Sequence, residues 1–125
     1  MKQDSIVYQK AKHFAVRIVL LKRELVSATH EFSIADQLLR SGTSIGANLA
    51  EAMDSISRRE FHAKVCISLK ECAETRSWLE LLQETDLIGR KIYLSLMEDL
   101  VELQKMLTAI CKTLQKSEIE DPPKT

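Results

Sequence analysis

The chain has 125 residues, with 18 basic and 18 acidic side chains and a formal net charge of zero. That length suits one domain, and 45% hydrophobic against 29% charged residues is enough to bury a core, which excludes a disordered polymer. Three glycines and two prolines leave too little turn chemistry for an all-β fold, and the neutral balance removes the simplest argument for nucleic-acid binding.

Four helices are predicted in chain order, near 5–28, 34–53, 58–84 and 87–116. In the first, Val7, Ala11, Phe14, Ile18, Leu21, Leu25 and Ala28 alternate spacings of four and three, the seam of a helix packed in a bundle. The second runs Ala35, Leu38, Gly42, Ile45, Leu49 and Ala52, with Ser33 to Asp36 as a loose capping box. The third opens on a capping box, Ser57-Arg-Arg-Glu60. It keeps the period with Phe61, Val65, Ser68, Cys72, Thr75, Leu79 and Leu82. The fourth repeats the pattern from Tyr93 through Leu96, Leu100, Leu103, Leu107, Ile110 and Leu114, with Asp86 as its expected N-cap. Short connections imply an all-α, antiparallel up-down-up-down four-helix bundle over residues 1–116. Residues 117–125, acidic and holding both prolines, read as a frayed tail.

No apolar stretch is long enough to span a bilayer, and the N-terminus lacks a signal-peptide hydrophobic region. A cytoplasmic protein with no membrane partner is the expectation. Cys66, Cys72 and Cys111 then read as reduced, buried small hydrophobes.

The second helix is made of poor helix-forming material, Arg40-Ser-Gly-Thr-Ser-Ile-Gly-Ala-Asn48. Gly42 and Gly46, one turn apart, point to close approach of another helix; a phosphate loop would need a Gly-Lys-Ser/Thr ending and a preceding strand. At about 100° per residue, Gln37, Arg40, Ser44, Asn48 and Glu51 share one stripe away from the apolar seam. Ile67, Glu71, Glu74, Trp78 and Leu81 do the same on the third helix, and Val16, Val19 and Leu20 turn away from the seam of the first. Such a stripe is either a solvated face or an interface, and the surplus of large apolar residues favours packing against further copies, a homo-oligomer. A hairpin of helices two and three brings Arg40 level with Glu71, and Asn48 level with Lys64. It leaves open whether an Arg40–Glu71 ion pair lies within one subunit or between two.

Catalytic chemistry is not indicated. His13, His30 and His62 are scattered, and Ser41, Thr43 and Ser44 have no neighbouring general base. His62 and Cys66 lie one helical turn apart, yet two ligands do not make a metal site, so no metal and no cofactor is expected. The Glu71/Glu74 pair reads as ion-pairing helix surface rather than a carboxylate dyad. The first 28 residues carry six Lys/Arg against two acids. Lys10, Lys12, Arg17, Lys22 and Arg23 are therefore the candidate nucleic-acid contacts. They scatter around the outer arc without interleaved aromatics, so a basic surface would depend on repetition around an oligomer axis.

The stretch Phe32-Ser-Ile-Ala-Asp-Gln-Leu-Leu-Arg-Ser-Gly-Thr-Ser-Ile-Gly-Ala-Asn-Leu-Ala-Glu-Ala52 resembles the hallmark of a bacterial family. Ser57, Glu60-Phe61, Lys64, Lys70-Glu71, Glu74-Thr75 and Trp78-Leu79 continue the likeness through the third helix, while His30-Glu31 stands where a proline-containing turn is common. These are the small four-helix-bundle proteins first noticed as open reading frames within 23S rRNA intervening sequences. The resemblance implies a cyclic oligomer, a pentamer in preference, and no catalytic residue to carry over. The family is similar in architecture to the accessory protein of diversity-generating retroelements, which implies a non-enzymatic scaffold associated with structured RNA or DNA. The alternative is a protein–protein adaptor for a helical partner.

Overall fold

The computed structural model describes the backbone of residues 2–120 and the side chains of residues 6–115. The described residues form four α-helices and no strand: α1 (Lys2–Thr29), α2 (Ser33–Met53), α3 (Arg58–Glu84) and α4 (Arg90–Glu120). Each helix packs on its neighbour in the chain and α4 returns to α1, whereas α1 with α3 and α2 with α4 make no direct backbone approach. The α2–α3 interface is the most extensive and the α1–α4 interface the least.

The helix ends follow from local chemistry. At the end of α1, Thr29 Oγ1 donates to the Leu25 carbonyl at 2.6 Å and accepts from the Glu31 N–H at 3.2 Å. His30 then adopts the left-handed region (φ 56°), and its N–H bonds the Val26 carbonyl at 3.0 Å, which stops the helix. The expected Ser33 capping box does not form. Phe32 occupies the N-cap position, its carbonyl accepting from Asp36 at 2.8 Å, so Ser33 is already inside α2. The Glu31 carboxylate takes over, accepting from the Ile34 N–H at 3.2 Å. Ser57, by contrast, is extended (φ −142°, ψ 156°), and its Oγ accepts from the Glu60 N–H at 3.1 Å.

Asp86 is not the N-cap of α4, which starts three residues later than expected. Its positive φ of 60° makes it part of the stop of α3, where Leu87 and Ile88 both donate to the Leu82 carbonyl. Ile88 is buried and pins the connection, and the Gly89 carbonyl accepts the first bond of α4 from Tyr93 at 3.1 Å. Residues 117–120, expected to be frayed, continue α4, and residues 121–125 lie outside the described residues.

The core is the four seams meeting. Phe14, Ile18, Leu38, Ile45, Leu79, Leu82, Leu96, Leu100, Leu103 and Leu107 are its largest fully buried members, with Val7 and Val65. Ala28 at the end of the first seam is exposed, one residue before α1 ends. Among the described residues three polar side chains are fully buried, Ser41, Ser68 and Thr75, all on α2 and α3. Each is hydrogen-bonded, as burial requires. Ser68 Oγ donates to the Ile45 carbonyl across the interface at 2.9 Å. Thr75 Oγ1 lies 2.7 Å from the Glu71 carbonyl and 2.9 Å from Ser41 Oγ.

Candidate functional site

The stripe on α2 and the stripe on α3 meet at one polar network. The Arg40 guanidinium bridges two carboxylates one turn apart on α3, with Nη1 at 3.5 Å from Glu71 Oε2 and Nη2 on Glu74 Oε1. Trp78 Nε1–H donates to the same Glu74 oxygen at 3.3 Å, and Lys64 Nζ reaches Glu51 Oε2 at 3.0 Å. The Arg40–Glu71 pair therefore forms within one chain, with Glu74 as a second acceptor. These hydrogen bonds, that of Arg40 first, hold the Glu74 carboxyl below its ordinary range, and the carboxylates raise Arg40 in return. The Arg40 side chain is 49% exposed, so solvent screens the pairing.

The rest of the α2 stripe does not join that network. Ser44 Oγ donates to the Arg40 carbonyl at 2.6 Å, and Asn48 Nδ2 donates to the Ser44 carbonyl at 2.9 Å, so both fold back onto their own helix. Lys64, expected level with Asn48, takes Glu51 instead. Gln37 is exposed, and Ile67 stands 37% exposed while Trp78 is half-buried against the core.

The two glycines differ. A Cβ on Gly42 would meet Ile18 Cγ2 of α1 at 2.9 Å and Cγ1 at 3.0 Å, so the fully buried Ile18 side chain packs on the bare Cα and would have to shift to admit even a methyl. At Gly46 the nearest atoms, those of Ala11, lie at 3.8 Å, ordinary van der Waals distance with room for a methyl.

Of the five candidate cations on α1, three are neutralised within the chain. Lys10 pairs with Glu102 at 2.6 Å, and Lys22 with Asp36 at 3.6 Å. Arg17 bonds Asp99 at 2.7 Å and Ser95 Oγ at 2.8 Å. Lys12 and Arg23 carry no ion pair among the described residues and are exposed. A groove of about 260 Å³ between α1 and α4 is lined by Gln9, Lys10, His13, Asp99 and Glu102, but Lys10 and Arg17 occupy its carboxylates.

Sequence reasoning missed one grouping. Cys111 of α4 lies with its Sγ 3.1 Å from Cys66 Sγ, and the ligand atoms of His62, Cys66 and Cys111 all fall within 4.8 Å of one another. The turn held the signal: counting as far beyond Ile88 as Cys66 precedes it lands one residue from Cys111.

Four helices around one core, with no nucleophile–base arrangement among the site residues described, define a small all-helical domain. No described helix is long and apolar enough to cross a membrane. The chain belongs to the family of 23S rRNA-intervening sequence proteins, which it matches over residues 3–109. It is similar to a protein of unknown function from the S23 ribosomal protein family of Bacteroides thetaiotaomicron, known from a crystal structure. The two share 48% identity over 88% of this chain and 98% of that one, with a TM-score of 0.86. No curated protein matches the chain. No enzyme family is indicated by these comparisons.

Proposed function

We propose that the protein is a non-enzymatic, self-assembling scaffold of the cytoplasm. In this reading the helices run antiparallel, up-down-up-down, and their outward apolar side chains pack copies into a cyclic homo-oligomer, a pentamer in preference. Partner positions support the antiparallel course: as α2 advances from Arg40 through Ile45 to Glu51, its partners on α3 retreat from Glu71 and Glu74 through Ser68 to Lys64.

One observation carries the assembly: large apolar side chains stand exposed on both α1 and α3. Val16 is 51% and Leu20 56% exposed on α1, with Ile67 and Leu81 on α3. Apolar surface of this kind, rimmed by polar groups, marks a partner surface. The nucleic-acid role is placed on Lys12 and Arg23, repeated around the ring, because Lys10, Arg17 and Lys22 already neutralise acids. That neutralisation is also the specific observation in favour of a second reading, an adaptor that docks a helical protein partner.

Native mass spectrometry of protein purified gently, at low salt and without nuclease, tests both. The expected result is a ring of about five subunits carrying RNA-sized adducts that salt removes, since phosphate contacts are salt-labile. Lys12→Glu with Arg23→Glu is expected to remove the adducts and leave the ring. A clean ring without nucleic acid replaces the RNA role with the adaptor reading, and a monomer overturns the assembly.

A further inference from the structure

We propose that His62 and Cys66 of α3, together with Cys111 of α4, form a binding site for a soft divalent cation, Zn2+ above all, whose fourth coordination position faces solvent or an outside ligand. His62 and Cys66 are one helical turn apart and so share a face of α3, and α4 delivers Cys111 opposite them. The three ligand atoms lie within 4.8 Å of one another, and the two sulfurs within 3.1 Å.

This arrangement reaches the ion's geometry by side-chain adjustment: the sulfurs must part, and the widest ligand pair, up to 4.8 Å, must close by about 1 Å. Tetrahedral coordination with Zn–S of about 2.3 Å and Zn–N of about 2.0 Å sets ligand separations near 3.5–3.8 Å. The sulfur pair must therefore open by about 0.6 Å, which is within the reach of small side-chain torsions. Two thiolates and an imidazole select zinc or copper over magnesium and calcium, which take oxygen ligands. Burial and the neighbouring Cys66 push the Cys111 thiol up to about 12, so it is protonated when metal-free. Each thiol releases its proton to solvent as its metal–sulfur bond forms, with no change of oxidation state. His62 and Cys66 are half-buried and Cys111 is buried, which puts the approach of the ion on the α3 side. Cys72 is fully buried, and its thiol is also pushed up to about 12; it stands outside the cluster. The site is independent of the scaffold reading.

The test is an anaerobic titration of the full chain, reduced and metal-free, with Co2+ followed by Zn2+. The expected result is thiolate-to-cobalt charge-transfer absorption that saturates at one equivalent per chain and is bleached by Zn2+. Cys66→Ser and Cys111→Ser are expected to abolish it, and Cys72→Ser to leave it unchanged. His62→Ala is expected to weaken affinity at least about tenfold, the lower end of what losing even an outer-shell partner costs. Circular dichroism checks that each variant is folded; where Cys111→Ser is not, the half-buried Cys66 and His62 variants decide. No charge-transfer band in the reduced wild-type chain, a band that survives Cys66→Ser, or unchanged affinity in His62→Ala overturns the site.

Discussion

Between α2 and α3, three hydroxyl side chains are buried inside the seam itself, and Ser68 and Thr75 each hydrogen-bond across it. The fully buried side chains of α1 and α4, by contrast, are all apolar among the described residues, Phe14, Ile18, Leu100 and Leu103 among them, and the polar contacts between these two helices are the partly exposed ones of Lys10 and Arg17. The difference lies in what each pair fixes. A slip of one residue between α2 and α3 strands a buried hydroxyl, at the cost of an unmade hydrogen bond in a low-dielectric interior. A similar slip between α1 and α4 leaves leucine against leucine and lets flexible charged side chains re-aim. The hydroxyls and the glycine approach thus specify geometry, whereas the leucines supply burial.

The largest effects are expected at the glycines of α2, which face α1 and test the close approach that the leucines do not need. Gly42→Ala is expected to lower unfolding free energy by about 1–3 kcal/mol through overpacking against Ile18, although alanine is the better helix former. Gly46→Ala has the room Gly42 lacks and is expected to raise it by about 0.5–1 kcal/mol. Urea denaturation of the two variants reads both signs; equal signs would remove the distinction. Next in size, Thr75→Val keeps the shape but removes the partner of Ser41, an expected loss of about 1–2 kcal/mol by the same measurement. A neutral result would mean that Ser41 is satisfied by the Leu38 carbonyl, 3.4 Å away.

The smallest effect belongs to the exposed network. Because the folded Glu74 carboxyl is held below its ordinary range, its contribution is complete above that range and is lost as pH falls through the lowered value. Wild type and Arg40→Ala are therefore expected to differ slightly in Tm at neutral pH and to converge in acid. A Tm difference that persists in acid would trace the effect to packing of the arginine stem rather than to its charge.

The four helices and nearly every core position were legible as seven-residue periods, because a buried stripe forces that spacing on the sequence. The Arg40–Glu71 pairing was legible as well, through hairpin register. The helix starts were less so. Glu31 caps α2 in place of Ser33 because Phe32 has already entered helical geometry, and nothing in the residue types fixes that one-residue choice. Asp86 looked like a cap and is instead the left-handed residue that ends α3, a position that short polar side chains fill as readily as they fill caps. The pairing of Arg17 with Asp99 depends on which residues of the first and last helices face each other, and residue types alone carry no mark of that, whereas the meeting of Cys66 with Cys111 required the position of the turn at Ile88.

The order in which the helices touch has a kinetic consequence. Three of the four interfaces join elements adjacent in the chain, and contacts of short sequence separation form fast. The fourth joins Arg17 to Ser95 and Asp99, some 78 and 82 residues away, across the interface with the least contact. Closing that long loop is expected to follow the pairing of consecutive helices, and this interface is expected to be the first to part again on unfolding. Hydrogen exchange is therefore expected to find the least protected core amides along the seam between α1 and α4.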